Sequence, residues 1–162
     1  MYSTPLTLAA LGLTLTSSLA LAQTPKIERQ PVPNFPISTA VTIPAGATTY
    51  YLSGVVPPKL ADGSYGANTE QQTVNILRAI EGNLKNLGLG LEDVVKMQVF
   101  LVADPKQGNK MDFTGFMKGY SQFFGTKAQP NTPARSAFEI KALVMPEWLI
   151  EIEVIAAKVP KA

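Results

Sequence analysis

The sequence predicts an α+β protein, a two-layer sandwich with a mixed sheet and two helices on one face. Two segments carry apolar residues at helical spacing, and several runs rich in β-branched residues have the character of strands, without any internal repeat. The predicted order is strand, strand, helix, strand, helix, strand, strand. Two helices can cover one face of such a sheet. In LIEIEVIAA, alternation points Ile150 and Ile152 one way and Glu151, Glu153 and Ile155 the other, so one face has mixed polarity, and we expect the uncovered face to be a subunit interface.

The first two strands are predicted on either side of the turn sequence PAGA. Residues 48–56, TTYYLSGVV, combine β-branched and aromatic side chains and are followed by Pro57 and Pro58. A shorter strand is expected near residues 39–43. We expect these two strands to pair with each other, and the segment 57–68 to form a loop.

A first helix is predicted between Asn68 and Gly88, followed by an apolar strand. Asn68 and Gln71 resemble a capping box, and Gly88 is suited to end the helix. The apolar residues between them recur at steps of three and four: Val74, Leu77, Ile80, Leu84 and Leu87. Residues 94–102, VVKMQVFLV, form the predicted strand.

A second helix with an aromatic stripe is predicted to end at Gly125. Its large apolar side chains fall on one helical face: Phe113, Phe116, Met117, Tyr120, Phe123 and Phe124. We interpret this stripe as core packing against the sheet. The segments RSAFEIKAL and LIEIEVIAAKV then flank the turn VMPEW, which predicts a terminal β-hairpin.

The N-terminal segment is predicted to be an export signal. Residues 1–22 contain no charged side chain and end in Ala20-Leu21-Ala22, which is typical of a signal peptide cleaved after Ala22. A membrane anchor is the alternative, but the apolar stretch is short and diluted by Thr and Ser. Residues 23–35 are expected to form an extended tether and residues 36–162 one domain, in a periplasmic or secreted protein.

The composition excludes several kinds of chemistry. The chain has no cysteine and no histidine, so disulfides, thiol catalysis, Ser-His nucleophiles and imidazole-bound zinc are ruled out. Any acid-base chemistry must come from a carboxylate, a lysine, a tyrosine or bound water. The formal net charge is +2 without a basic run, and nucleic acid is therefore not indicated as a partner.

Arg135 and Glu151 are the residues that could carry chemistry. In the predicted terminal hairpin they lie on neighbouring strands and approach the same cavity. One interpretation is a cross-strand ion pair, worth about 0.2 to 1 kcal/mol if exposed. The other is a site in which the planar guanidinium binds a small-molecule carboxylate in two parallel hydrogen bonds while a nearby carboxylate orients water.

Several motifs together resemble one family. PARSAFEI, IEIEVIAAKV, YLSGVVP, NILRAIEGNLKNLGLGLEDVVKMQVFLVAD and YSQFF are similar to the reactive-intermediate deaminase (RidA, YjgF-like) family, over about residues 36 to 159. The resemblance implies a chorismate-mutase-like fold in a homotrimer with three active-site clefts at subunit contacts. It also implies hydrolysis of 2-imino or enamine acids, such as 2-iminobutanoate and 2-iminopropanoate, to 2-keto acids and ammonia, without metal or organic cofactor.

The resemblance also implies roles for individual residues. Arg135 holds the substrate carboxylate, and Glu151 positions or deprotonates the attacking water. The backbone at Ala137 and Gly54 contacts the substrate. For Ser53, a substrate contact and a hydroxyl that caps a neighbouring backbone group are both open.

Three positions depart from the family pattern. Ala137 replaces a cysteine, Ile37 a tyrosine and Met117 a helix asparagine, which makes the expected pocket more apolar and suggests a bulkier substrate or slower chemistry. The same replacements motivate a second hypothesis, a non-catalytic trimeric protein that binds small carboxylates or acts as a holdase. Ribonuclease activity is a third, and fits the low positive charge poorly.

Overall fold

The computed structural model describes residues 24–160, in which seven strands form one mixed sheet and two helices cover one of its faces. The predicted α+β class and the two-layer arrangement are confirmed. The path of the sheet is β1-β2-β6-β4-β7-β3, with β5 paired to the end of β4. The strands are β1 (Glu28–Pro31), β2 (Ser38–Thr42), β3 (Thr48–Tyr51), β4 (Val94–Asp104), β5 (Lys110–Met111), β6 (Ala134–Ile140) and β7 (Ile150–Lys158).

Both helices form, α1 where the sequence predicts it and α2 with its end at Tyr120 instead of near the predicted Gly125. Helix α1 spans Thr69–Asn86, and its N-cap Asn68 accepts a hydrogen bond from the backbone N–H of Gln71. The Gln71 side chain in turn accepts from Ala67 N, one residue before the position that a capping box uses. Helix α2 spans Phe113–Tyr120, and the chain continues in turns to Gly125, which has a φ of +70°.

The core lies between the helices and the covered face of the sheet. The central strand β4 and its neighbour β7 contribute alternate side chains to it, as the period of two requires. Helix α1 contributes residues at helical spacing, and α2 contributes its aromatic stripe. The fully buried members include Ile76, Leu77, Ile80, Leu84, Met97, Val99, Leu101, Phe116, Tyr120, Ile150 and Ile152.

The predicted pairing of the strands is wrong in two places. Strand β4 lies between β6 and β7, parallel to the first and antiparallel to the second, so the terminal hairpin does not form. The connection of residues 141–149 is longer than the two to five residues of a tight hairpin and passes from one side of β4 to the other. The pairing of β2 with β3 is also absent, because β1 and β6 occupy the edges of β2, and β3 pairs with β7.

The described part of the expected tether, residues 24–35, includes a strand and is not simply extended chain. Strand β1 pairs antiparallel with β2, and Arg29 fastens it to the rest of the domain. The Arg29 guanidinium donates to the backbone oxygens of Val94 (2.9 Å), Thr132 (2.9 Å) and Glu92 (2.8 Å). The packed domain therefore begins before residue 36. The predicted leader, residues 1–22, lies outside the described residues.

The second face of the sheet carries a mixture of polar and aromatic side chains. Phe100 of β4 and Phe138 of β6 meet there with ring centroids 5.1 Å apart and planes at 85°. Phe138 is 40% exposed in the single chain, and Tyr51 on the edge strand β3 is 80% exposed. We refer to this side as the open face. Within residues 24–160, no helix has the length and hydropathy needed to cross a membrane.

Candidate functional site

Arg135 points from β6 toward helix α2. It is in register with Met97, which is fully buried on the helix-covered face. Its guanidinium carbon lies close to four aromatic rings, which we call the aromatic cage. The distances from the guanidinium carbon to the ring centroids are 4.4 Å for Tyr120, 4.9 Å for Phe116, 5.5 Å for Phe35 and 6.0 Å for Phe113. At these distances the rings attract the cation electrostatically.

The charge of Arg135 has no carboxylate partner in the described part of the chain. The ion pairs there are Lys85–Glu81 and Lys158–Asp93. The Nη1 atom of Arg135 is buried and has no hydrogen-bond partner. Burial lowers the pKa of Arg135, an effect that Tyr120 opposes, but a guanidinium remains protonated in proteins. A half-buried guanidinium without a carboxylate partner is suited to bind an anionic ligand.

The cage is built from two separate parts of the chain. Phe113, Phe116 and Tyr120 are spaced i, i+3 and i+7, so they share one face of α2. The Tyr120 hydroxyl donates a 2.7 Å hydrogen bond to Pro36 O, and this bond holds the loop that carries Phe35 over Arg135. Phe35 is 38% exposed, whereas Phe116 and Tyr120 are fully buried, so Phe35 forms the outer wall.

Glu151 lies on the open face, away from Arg135. It is in register with Phe100 of β4. Its carboxylate occupies the space next to Gly54, where a Cβ atom would overlap Glu151 Oε1. Gly54 follows β3 and precedes Val55, which pairs with Ile152 in an isolated bridge. Only a residue without a side chain allows the carboxylate to approach the backbone so closely.

Ser53 and Gly54 also line a cavity of about 410 Å³ at this edge of the sheet. Its other walls come from neighbouring residues of the edge segment and from the end of α1. Ala137 lies elsewhere: it is half-buried on the helix-covered face, in register with Val99 and two residues beyond Arg135. The structure therefore places Gly54 against Glu151, with Ser53 as the neighbouring residue of the chain, and Ala137 on the same face as Arg135.

The expectation that Arg135 and Glu151 of one chain face the same cavity is wrong. They lie on opposite faces of the sheet, and β4 separates their strands. A small ligand held by both side chains would have to contact opposite faces of the sheet at once. A single chain does not bring them together. A site that uses both residues needs a second copy of the chain.

The aromatic cage was not anticipated from the sequence as part of a site. The stripe on α2 was interpreted as core packing, which is correct for Phe116 and Tyr120 but leaves out their contact with Arg135. Phe35 falls in the segment expected to be a tether. The neighbouring residues Asn34 and Pro36 are typical of turns and could have indicated that Phe35 has a fixed position. In the structure, Asn34 has a φ of +58°.

The described residues do not provide an evident metal site. No group of three or more Asp or Glu side chains within residues 24–160 is placed to hold a metal ion. The chain supplies neither His nor Cys as an alternative ligand.

We expect Gly54→Ala to lower any activity that depends on Glu151 by about tenfold or more, because the new Cβ displaces the Glu151 carboxylate from its position. The free energy of unfolding should change little, since Gly54 is exposed. Gly82→Ala is the matched control: it adds the same methyl group to α1, where nothing lies within 4 Å. Steady-state rates and thermal unfolding of both variants measure these effects, and unchanged rates in Gly54→Ala would contradict the role of this contact.

The fold and the Arg135 guanidinium define a class of small two-layer α+β proteins. In this class, an arginine suited to bind an anion lies between the sheet and the second helix. The model of the family described as Endoribonuclease L-PSP matches residues 28–158. The chain therefore belongs to the RidA/YjgF-like L-PSP family, to which its RutC relatives and YjgF structural neighbours also point.

Relatives and solved structures agree with this membership. A RutC family protein of Saccharolobus solfataricus is 36% identical over 133 residues, which cover 81% of this chain and 94% of the relative. A Rid family protein of Yersinia pestis has a TM-score of 0.61 at 25% identity, and the match covers 76% of this chain and 87% of the Yersinia chain. A YjgF family protein of Neisseria meningitidis has a TM-score of 0.56 at 26% identity, and the match covers 84% of this chain and 98% of the Neisseria chain.

Proposed function

We propose that the protein hydrolyses reactive 2-imino and enamine acids to 2-keto acids and ammonia. The observation that carries the proposal is the Arg135 guanidinium, which is held by aromatic rings and left without a carboxylate partner in the described chain. A guanidinium offers two parallel hydrogen bonds to a carboxylate, and the rings around it limit competition from water. Membership of the RidA/YjgF-like family supports the same choice of substrate.

The chemistry requires little more than orientation and one proton acceptor. A protonated imine is already an electrophile, so a water molecule can add to its carbon once that water is placed and deprotonated. In the proposed mechanism, Arg135 fixes the carboxylate and Glu151 accepts a proton from the water. Glu151 then passes this proton to the amino nitrogen of the resulting carbinolamine. The carbon–nitrogen bond breaks, the nitrogen leaves as ammonia, and the hydroxyl group loses its proton to the solvent as it becomes the keto group.

We propose that the complete site forms between two copies of the chain in a homotrimer. Arg135 and Ala137 come from one copy, and Glu151, Gly54 and Ser53 from the next. The positions of these groups on opposite sides of the sheet support this arrangement. The open face, with its exposed aromatic residues, is the surface proposed to lie inside the trimer.

Ammonia release tests the function directly. An amino-acid oxidase generates 2-imino acids in solution, and their conversion to 2-keto acid and ammonia is followed with and without this protein. We expect a faster release in its presence. If the rate of ammonia release is the same with and without the protein, for substrates with small, branched and aromatic side chains alike, the proposed activity is excluded.

The second candidate is a non-catalytic protein that binds small carboxylates. It is favoured by the separation of Arg135 from Glu151, because the anion site then exists in one chain without the acid. Ile37 and Met117 also lack the hydrogen-bonding groups of the family pattern. Calorimetry with 2-keto acids distinguishes the candidates: binding without any deaminase activity supports this one.

The family description names an endoribonuclease, but RNA cleavage is not the activity we propose. RNA binding depends on neutralising phosphates with clustered Lys and Arg, and this chain has a formal charge of only +2. If the purified protein cleaves RNA and the Arg135→Ala variant does not, this choice is overturned.

Export to the periplasm or beyond is a separate proposal, supported by the uncharged, apolar leader of residues 1–22. The mass of the chain recovered from the periplasm or medium tests it, because cleavage after Ala22 leaves Gln23 at the N-terminus.

A further inference from the structure

A cavity of about 400 Å³ lies beside the aromatic cage. This volume is within the range of about 300 to 1,000 Å³ that is typical of small-molecule pockets. Six of the ten lining residues have apolar side chains, and the polar members are short and without charge, although polar groups contribute nearly half of the cavity surface. The lining consists of Pro31, Val32, Asn34, Phe35, Pro36, Ser121, Phe124, Gly125, Pro130 and Thr132.

Phe35 connects this cavity to Arg135. Its ring centroid lies 5.5 Å from the Arg135 guanidinium carbon, and the same residue lines the cavity. The other three rings of the cage belong to α2 and do not line it. The space next to Phe35 therefore shares a residue with the proposed carboxylate site.

The loop around Phe35 is held at both ends. Val32 N donates to Ile37 O at 2.9 Å, which closes the loop, and Pro36 O accepts from the Tyr120 hydroxyl. Gly125 lies directly against Pro36, where an added Cβ would come within 2.6 Å of Pro36 Cβ. These contacts fix the position of Phe35, which borders both the cage and the cavity.

We propose that this cavity receives the substrate side chain, so that the enzyme prefers 2-imino acids with branched or aromatic apolar side chains. The inference rests on the proposed function, because it assumes that Arg135 binds the substrate carboxylate. The side chain of a 2-imino acid is attached to the carbon next to the carboxylate, so its first atom lies two bonds from the carboxylate carbon. A benzyl or isobutyl group can extend past Phe35 into the apolar cavity, whereas a methyl group is too short to reach it.

Two positions that are close in sequence to the cage, although not in the lining of the cavity, are also apolar. Ile37 and Met117 are half-buried and lie close in sequence to Phe35 and Phe116 of the cage. Neither offers a hydrogen bond to a polar substrate side chain. An apolar pocket discriminates by size and contact area, with about 10- to 200-fold in kcat/KM for small differences in side chain.

Ser121→Trp tests the inference by filling the cavity from its exposed rim. We expect kcat/KM for the phenylalanine-derived imino acid to fall about tenfold or more, and kcat/KM for the alanine-derived imino acid to remain unchanged. Gln122→Trp is the control, because Gln122 is also exposed but lines a different cavity. Pro130→Trp, from the opposite rim, is a second filling variant in case Ser121→Trp does not fold.

The possible outcomes separate this inference from the proposed function. Preference of the wild type for the phenylalanine-derived substrate, lost in the filling variants and kept in Gln122→Trp, supports the cavity. A wild type that prefers the alanine-derived substrate, or filling variants that reduce both rates equally, overturns the inference and leaves the deaminase activity standing. A wild type that deaminates no substrate overturns both.

Discussion

Arg135→Ala is expected to reduce kcat/KM for imino-acid hydrolysis by about 10²- to 10⁴-fold, through the loss of two charge-assisted hydrogen bonds of about 1.5 to 3 kcal/mol each. The substrate carboxylate would then face the rings of the aromatic cage without a counter-charge. Arg135→Lys should recover only part of the rate, because an ammonium group keeps the charge but lacks the planar fork. Single-turnover and steady-state ammonia release measure the effect.

The control for this variant is Arg78→Ala, which removes an arginine from the exposed surface of α1. It should change neither activity nor stability by a measurable amount. Arg135→Ala also removes cation–π contacts of about 0.5 to 2 kcal/mol, so its thermal unfolding has to be measured alongside activity. A folded Arg135→Ala protein with a wild-type rate would exclude Arg135 as the carboxylate-binding residue.

The helices and most strands could be predicted because their signals are local. The apolar spacing of α1, its Asn68 cap and the aromatic stripe of α2 each depend on residues within a few turns. The alternation in β7 also predicted correctly that Ile152 is buried while Glu151 faces the other side. These features reflect the geometry of single elements and do not depend on which strands become neighbours.

Strand order could not be obtained in the same way. Two strands that follow each other along the chain often pair, but β4 has enough apolar surface to be buried between β6 and β7. This placement makes β4 the centre of the sheet and removes the predicted hairpin. The predicted site is wrong for the same reason. Direct pairing of β6 with β7 would bring Arg135 and Glu151 to one face of the sheet, whereas the observed pairing of both strands with β4 leaves the two residues on opposite faces.

The cage illustrates a second limit of the sequence. Tyr120 and Phe35 are 85 positions apart in the numbering, and their common contact with Arg135 depends on β1 docking through Arg29 and on the hydrogen bond from Tyr120 to Pro36. Polar side chains that fix a loop to backbone oxygens leave no periodic pattern. The motif around Arg135 is enough to identify it as a candidate site residue. The residues that surround its guanidinium can be identified only from the three-dimensional structure.

A second experiment tests whether two chains share the site, and it uses variants that are each inactive. Glu151→Gln should lower kcat by about 10²- to 10⁴-fold, because the amide cannot accept the proton of the attacking water. Glu153→Gln is the matched control, because Glu153 is the next acid on the open face and has no proposed role. Thermal unfolding of both variants should remain close to that of the wild type.

Co-assembly of Arg135→Ala chains with Glu151→Gln chains is then expected to restore activity. In randomly mixed trimers, a cleft that takes its arginine from one chain and its acid from the next is intact in about a quarter of cases. Activity near a quarter of the wild-type value would therefore support a site between copies, after unfolding and refolding of an equimolar mixture. If both residues act within one chain, each chain lacks one of them and the mixture stays inactive, which would contradict the shared site.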